Sequence, residues 1–484
     1  MNVADILAFL NRQGVSPRRL CLDSRKVQPG DVFLAWPGAR QDGRRYIGEV
    51  AAKGAAAVLY EADGAAVPAL AIPGLAVHGL ARLAGALADA VYGHPSQKLW
   101  LCGITGTNGK TSTSQWIAQA LTGAGRKCAV IGTLGNGFGH ALTASPNTTP
   151  DAVTFHSDLA AFLDQGAQAC AMEVSSIGLD QGRVNGAHFH TAVFTNLTRD
   201  HLEEHGTMDA YGAAKEKLFL WPGVQRAVIN LDDAFGRQLA ERLRDKVPVT
   251  AYTLEGRTLA GVDTLLAAEQ LTMTPTGQQF RVGGEQIHVP LLGRFNTANL
   301  LAVLGALLSA GMDMSTAVAR IAALTPPPGR MECLGGADAP LVVVDYAHTP
   351  DALEKALITL RETAVARHGR LLCLFGCGGD RDPGKRPLMG QVAESLADKV
   401  LLTSDNPRSE DPMAILAAIA AGMRSPAEQM PDRAAAIAHL IAEADVRDVV
   451  LLAGKGHETY QEIAGQRLHL SDVECARLAL EKRP

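Results

Sequence analysis

Between residues 103 and 112 the chain reads GITGTNGKTS, and residues of these types at this spacing hold polyphosphates. An apolar stretch, 99–104, runs straight into a turn carrying Gly103, Gly106 and Gly109, and a helix-compatible stretch, 112–121, follows. Such a turn directs successive backbone N–H groups at a phosphate and places the positive end of the next helix behind it. Gly106, Thr107, Asn108, Gly109, Lys110 and Thr111 are therefore expected to cradle a nucleoside triphosphate. Lys110 adds a mobile positive charge, and the Thr111 hydroxyl can reach Mg²⁺. The run departs from GxxxxGK[ST], because Ile104 stands at the position of the first glycine, so it reads as a subtype of that loop. The plain alternative is a glycine-rich turn between a strand and a helix.

Further reactive side chains follow apolar stretches. Glu173 falls within an apolar run at 169–174, followed by Ser175 and Ser176, and His201 closes the loop NLTRDH after a second run at 192–195. A carboxylate at a strand end is a natural Mg²⁺ ligand. An acid and an imidazole after neighbouring strands, beside a phosphate loop, form a candidate site, although each alone reads as a loop residue or cap. Lys215 and Lys217, in the helical segment 211–219, read by composition as solvated surface lysines. Asn147, Thr148 and Thr149, before Pro150, read as a turn and helix cap.

The elements that must position these residues are those of an α/β protein. The 484 residues suffice for about three domains. With 47% hydrophobic and 20% charged residues the composition is that of a globular protein with large cores, and a net charge of −5 gives no basic field for nucleic acid. Residues 1–10 lack the pattern of a signal peptide, and no apolar run approaches the ~20 residues that cross a bilayer. The eight cysteines form no CxxC pair, which favours reduced structural thiols in a cytoplasmic protein over zinc.

A turn cluster at 93–96 and the prolines at 326–328 divide the chain into domains expected at 1–97, 98–329 and 330–484. In the first, 31–36 and 55–60 read as strands. In the second, 169–174, 192–195 and 227–230 read as buried parallel strands, and 296–310 as an apolar helix. The Thr-rich alternation at 249–290 predicts an antiparallel insertion. In the third, strands at 341–344, 371–375, 399–402 and 449–453 run into DYAHTP, GCGGDRD, TSDNPR and GKGHE. Ligands of open parallel sheets sit at such carboxyl ends, so a second binding surface facing the nucleotide is expected. The fold class is α/β with three domains: a first domain, a central parallel-sheet ATPase domain of P-loop type and a C-terminal Rossmann-like domain.

The ordered set TGTNGKTS, NTTP, EVSS, TNLTRDHLEEHG, YGAAKEKLF, GRFNTANLLA, PGRME, DYAHTP, GCGGDRD, DNPR and GKGHE, spread over essentially the whole chain, resembles the Mur ligases. These enzymes build the peptide of bacterial cell-wall precursors. The resemblance implies an ATP-dependent amide ligase that adds meso-2,6-diaminopimelate to UDP-N-acetylmuramoyl-L-alanyl-D-glutamate. Under it, residues 106–111 hold ATP, with Asn296, Arg330 and Asp345 closing on the nucleotide. Glu173, His201 and Thr111 match Mg²⁺ ligands. Lys215 matches a lysine that is carbamylated in the family and so becomes a metal-binding carboxylate, which reverses the surface-lysine reading. Leu22 and Ser24 match uridine contacts. Asn147, Thr148, Thr149, Ser175, Gln181 and Arg183 match contacts to the sugar dipeptide. Arg381, Asp405, Asn406, Pro407, Arg408, Gly454 and Glu458 match the pocket for diaminopimelate. Its partners are then these small molecules, without nucleic acid or membrane, and a monomer is expected.

The chemistry of DNPR suits that amino acid. Arg408 can hold the distal carboxylate bidentately, while Asp405 and Glu458 can pair with an ammonium. Lysine lacks that carboxylate and would leave a buried Arg408 unpartnered, a strong basis for rejection. Another amide ligase of this architecture, such as folylpolyglutamate synthase, is disfavoured by the long first domain with LDSR at 22–25 and by DNPR. A nucleotide-driven motor would hydrolyse ATP without the sugar peptide. An inactive scaffold is disfavoured by the intact set of Lys110, Glu173 and His201.

Overall fold

Near-continuous runs of Val, Ile, Leu, Ala and Cys, each too short for a helix and ended by Gly, Asp, Asn or Thr, form the parallel strands of this protein. The computed structural model describes residues 1–38, 41–64, 70–139, 141–200, 202–274 and 277–483. The chain gathers into two compact units, Met1–Ala267 with Leu301–Arg320, and Ala268–Leu300 with Ile321–Pro484.

The first unit holds two sheets. A four-stranded parallel sheet comprises Leu20–Cys21, Val32–Ala35, Ala57–Glu61 and Gly74–Val77. The larger sheet has nine strands, in the order Thr264–Ala267, Val249–Thr253, Arg226–Asn230, Thr191–Phe194, Trp100–Thr105, Ala169–Glu173, Cys128–Gly132, Gly135–Phe138 and Ala141–Thr143. All are parallel except the last two, which extend the edge as an antiparallel meander. Trp100–Thr105, buried along its whole length, lies in the middle. Its neighbours, Thr191–Phe194 and Ala169–Glu173, place their carboxyl ends beside the glycine-rich turn. The small sheet docks through the helix Leu80–Val91 onto the helix Ala152–Asp164. Gly85 lets the first of these helices also approach the backbone at Asn185, since a Cβ there would lie 2.1 Å from the Asn185 carbonyl oxygen.

The antiparallel insertion expected at 249–290 is shorter than that. Val249–Thr253 and Thr264–Ala267 continue the parallel sheet, and only Glu269–Thr274, Gly277–Val282 and Glu285–Val289 form an antiparallel sheet. Polar residues are tolerated in the buried strand because their hydroxyls are satisfied. Tyr252 donates to the Phe194 carbonyl at 3.0 Å and Thr253 to Asp232 at 2.5 Å.

The second unit contains a six-stranded sheet, in the order Glu332–Gly335, Leu341–Asp345, Val449–Ala453, Leu371–Phe375, Lys399–Leu402 and Glu428–Gln429. Only the first strand is antiparallel. Apolar clusters cover both faces, as the strand composition predicts. In one of them Arg433 and Asp472 form a fully buried pair at 2.6 Å. The Arg433 guanidinium also donates to the carbonyls of Ser404, at 3.3 Å, and Ala453, at 2.9 Å. It thereby fastens the ends of the two strands that lead into DNPR and GKGHE. Removing one member of such a pair strands a buried charge, so Asp472→Ala should destabilise the unit by about 3–5 kcal/mol, measured as a lower urea midpoint. An unchanged midpoint would mean the pair contributes nothing. Among the described residues no helix is long and apolar enough to cross a membrane.

Candidate functional site

The turn at 106–109 is shaped by its glycines and pinned by a neighbouring loop. Gly106 has φ +149, and a Cβ there would meet the Thr195 hydroxyl at 1.9 Å. Gly109, at φ +87, opens the helix Lys110–Gly123. The loop after Thr191–Phe194 supplies the fastenings. Thr107 N donates to the Asn196 carbonyl at 2.8 Å, Asn108 N to Asn196 Oδ1 at 2.9 Å, and Thr195 Oγ1 to the Asn108 carbonyl at 2.6 Å. The Thr107 hydroxyl is held by Thr198 and faces Tyr211. Sequence reasoning does not single out Thr195 and Asn196, since TNLTRD draws attention only to His201. Their signal is polarity at a strand end next to a phosphate loop. Burial pushes the Tyr211 hydroxyl up to about 12, so it stays protonated at neutral pH.

Lys110 Nζ donates to the carbonyls of Gly106 and Thr107, both at 2.8 Å. Lys215 Nζ donates to that same Gly106 carbonyl at 3.0 Å and lies 4.3 Å from the centre of the Tyr211 ring. The surface-lysine reading of Lys215 is therefore overturned, because the residue is 1% exposed. Lys217 does fit that reading, being exposed and paired with Asp180. Burial, then the Lys110 ammonium, lower the pKa of Lys215 well below the usual lysine range, with Asp200 acting the other way.

Glu173 is 1% exposed and ends its strand among hard donors. Its carboxylate accepts from Thr111 Oγ1 at 3.1 Å, from Thr133 N at 2.8 Å and from Thr133 Oγ1 at 3.1 Å. A buried carboxylate with a threonine hydroxyl is a donor set that fits Mg²⁺. His201 lies outside the described residues.

The dipeptide-contact candidates join this centre. Thr148 Oγ1 lies 3.1 Å from Thr133 Oγ1, and Thr149 Oγ1 donates to the Glu173 carbonyl at 3.0 Å and to Ser175 Oγ at 3.1 Å. Arg183 donates to the Thr149 carbonyl at 2.9 Å and to Gln181 Oε1 at 2.7 Å. Thr148, Thr149, Ser175, Gln181 and Arg183 are thus one hydrogen-bonded group, with exposed Asn147 beside it. The cap expected of Asn147 to Thr149 belongs instead to Asp151, which accepts from the amides of Val153 and Thr154. Leu22 and Ser24 sit apart, at the end of the first strand of the small sheet. There Asp23 and Arg25 pair with each other at 2.8 Å.

In the second unit the carboxyl ends of the sheet bring a second group together. Asn406 Nδ2 donates to Glu458 Oε2 at 2.9 Å, and Gly454, at φ +111, brings the backbone beside Asp405, whose Oδ2 would lie 2.7 Å from a Cβ there. Arg408 is held at φ +52, a left-handed conformation uncommon outside glycine. Its backbone is locked to Glu462 and Ala464. Its guanidinium donates to the Gly379 carbonyl at 2.7 Å and lies 3.7 Å from Glu462. Pro407 is buried, and Arg381 is exposed in the adjoining loop. Lys455, fully buried beside Asn406 and Glu458, escapes sequence reasoning, although it lies inside GKGHE. Asp345 accepts from the amides of Met331 and Ala347, both at 2.8 Å. Burial raises its pKa, opposed by Arg330 and these two amides. Arg330 stacks 4.8 Å over Tyr346. Asn296 is buried, its amide bonded to Leu292 and Asn299.

Comparison with known proteins covers nearly the whole chain. The family model described as "Mur ligase family, catalytic domain" matches residues 18–92, "Mur ligase middle domain" residues 104–307, and "Mur ligase, glutamate ligase domain" residues 329–456. A Pseudomonas aeruginosa protein named UDP-N-acetylmuramoyl-L-alanyl-D-glutamate–2,6-diaminopimelate ligase is 54% identical, over 96% of this chain and 95% of that protein. A protein of the same name from Chromobacterium violaceum is 54% identical, over 99% and 97%. A solved structure with this name superposes with a TM-score of 0.69 at 38% identity, covering 96% of this chain and 95% of that one.

Proposed function

Because the chain belongs to the Mur ligase family, we propose that it joins meso-2,6-diaminopimelate to UDP-N-acetylmuramoyl-L-alanyl-D-glutamate, converting ATP to ADP and phosphate, in peptidoglycan precursor synthesis. The observation that carries this reading is the gathering of Asp405, Asn406, Arg408, Gly454 and Glu458 at one edge of the second sheet, in a chain about half identical to ligases named for this amino acid. We set the domain divisions at 97 and 329, near where the matched family segments change. The enzyme works in the cytoplasm as a monomer.

The reaction begins when the free carboxylate of the D-glutamyl residue attacks the γ-phosphate, releasing ADP and forming an acyl phosphate. Two anions meet in this step, so positive charge must be in place beforehand. Lys110 supplies it from the turn 106–111, whose backbone Thr195 and Asn196 hold rigid. Thr148, Thr149, Ser175, Gln181 and Arg183, with Asn147, orient the dipeptide beside Glu173, and Leu22 and Ser24 hold the uridine. Mg²⁺, when bound by Glu173, Thr111, His201 and carbamylated Lys215, neutralises phosphate charge. The carbamate arises when the neutral amine of Lys215 adds to CO₂ and loses a proton. Asn296, Arg330 and Asp345 complete the nucleotide contacts. The diaminopimelate amine, held by Arg381, Asp405, Asn406, Pro407, Arg408, Gly454 and Glu458, attacks the acyl phosphate. A tetrahedral intermediate collapses to the amide and expels phosphate. Water must be kept away, since the acyl phosphate hydrolyses.

Arg408→Ala tests the reading of the second pocket. Arg408 is half-buried rather than buried, its side chain 23% exposed, and truncating one partner of a charge-assisted hydrogen bond that bound substrate closes off from water costs about 2–5 kcal/mol. At about 1.4 kcal/mol per decade, kcat/KM for diaminopimelate should fall roughly thirtyfold or more. KM for ATP and for the sugar dipeptide should change little. Equal losses for all three substrates would contradict a role in reading the amino acid.

A further inference from the structure

Lys455 has no solvent-exposed side-chain surface, and the reaction described above gives it no task. It lies in the loop after Val449–Ala453. Its Nζ donates to Glu458 Oε2 at 2.9 Å and to Asn406 Oδ1 at 3.1 Å, and lies 5.5 Å from the centre of the Tyr460 ring. Asn406 Nδ2 donates to the same carboxylate oxygen at 2.9 Å, and Asn406 Oδ1 also accepts from the amide of Glu462 at 2.9 Å. The Asn406 amide is thereby fixed in one orientation, its oxygen towards two donors and its nitrogen towards a carboxylate. Asn406 follows the strand Lys399–Leu402, whereas Glu458 follows Val449–Ala453, and Leu371–Phe375 separates the two in the sheet. Lys455 therefore joins two strand ends that do not touch through the ladder.

We infer that Lys455 is a positioning residue that sets specificity, fixing the orientation and the charge of the Asn406–Glu458 pair so that the pocket prefers a side-chain head bearing a carboxylate and an ammonium over one bearing an ammonium alone. This rests on the reading that the pocket takes the incoming amino acid. Glu458 Oε2 is taken by Lys455 and Asn406, which leaves Oε1 as the oxygen for a substrate ammonium. The ionic groups around the pair include Arg408, Lys455 and, on the adjoining loop, Arg381 on one side, and Asp405, Glu458 and Glu462 on the other, with His457 between Lys455 and Glu458. Deleting the Lys455 charge shifts the field towards negative whatever the starting balance. In a site shielded from water the shift is worth more than at the surface. It strengthens the hold on an ammonium and weakens the hold on a carboxylate. Diaminopimelate, which brings both, loses relative to L-lysine, which brings only the ammonium.

The experiment is steady-state phosphate release by the full chain, with meso-diaminopimelate or L-lysine varied in turn at saturating ATP and sugar dipeptide. Lys455→Met keeps the length and apolar body of the side chain, and Lys455→Arg keeps the charge. In Lys455→Met, the ratio of kcat/KM for L-lysine to that for diaminopimelate should rise about tenfold or more. KM for ATP should stay within about twofold of the original, because only the amino-acid pocket changes. Lys455→Arg should return the ratio most of the way. An unchanged ratio in Lys455→Met, or a uniform loss for every substrate, overturns the inference. If Lys455→Met does not fold, Glu458→Gln serves instead. It removes a negative charge at the same place and should move the ratio against L-lysine, and the opposite movement or none overturns the inference. An unsubstituted enzyme that releases no phosphate with diaminopimelate overturns instead the reading of the pocket on which this rests.

Discussion

Lys110→Ala should abolish ligation in practice, lowering kcat by roughly a hundredfold to a thousandfold, the range for deleting one preorganised electrostatic group at a charge-developing centre. The substituted protein should keep its urea unfolding profile, since the bonds from Lys110 Nζ to the Gly106 and Thr107 carbonyls lie within its own turn. In the proposed reaction the side chain acts where a carboxylate approaches a triphosphate, and nothing else on the turn carries a formal positive charge. The same substitution removes the second of the two causes that lower the pKa of Lys215, which makes Lys215 easier to protonate and harder to carbamylate. Lys110→Arg keeps a charge at both places and should recover both effects together. Near-normal turnover in Lys110→Ala would remove the phosphate-loop assignment.

The second large effect belongs to Lys215. Carbamylation needs a neutral amine, and a solvated lysine at neutral pH is almost wholly protonated. Burial and the Lys110 ammonium, which shares the Gly106 carbonyl with Lys215, push the equilibrium towards the neutral form. With the pKa lowered, the reactive fraction is present at pH values where an ordinary lysine has none, and it falls as pH drops through the lowered value. Lys215→Ala should lose roughly a hundredfold or more in kcat. Short carboxylates such as acetate should restore part of it by entering the space left and supplying the missing oxygen ligand. Lys215→Met, which fills the space, should not be rescued. Incubating the unsubstituted enzyme in CO₂-free buffer at low pH should depress activity, and bicarbonate at neutral pH should restore it. Unchanged activity in Lys215→Ala would make Lys215 a packing residue.

The parts of this architecture that are legible in the sequence are those written locally. Residues 99–104 form a near-continuous apolar run that leads into glycines that only a tight turn requires, and the four strand-to-loop transitions of the second unit's sheet repeat that grammar. Burial created by tertiary packing is illegible. Lys215 sits on a short helix with no apolar stripe to announce it, and its environment is made by Tyr211 and by a carbonyl more than a hundred residues away in sequence. Lys455 is hidden for the same reason, its partner Asn406 lying on a different strand end. The Thr-rich stretch misleads because the hydroxyls of Tyr252 and Thr253 find acceptors across the sheet, which no local pattern reveals. The capping role of Asp151 is masked because Pro150 looks like the first residue of a helix and points to Asn147–Thr149 as its cap, whereas the helix is Ala152–Asp164.

In the proposed reaction ATP is spent to join a particular amino acid to a UDP-sugar dipeptide. Phosphate release by the purified enzyme, with ATP, Mg²⁺ and UDP-N-acetylmuramoyl-L-alanyl-D-glutamate present and meso-diaminopimelate or L-lysine added in parallel, tests it most directly. Release should depend on both the dipeptide and diaminopimelate, with one phosphate per amide formed and little turnover with L-lysine. Phosphate release that proceeds without the dipeptide, or equally well with either amino acid, would mean that ATP is not spent on joining diaminopimelate to the dipeptide.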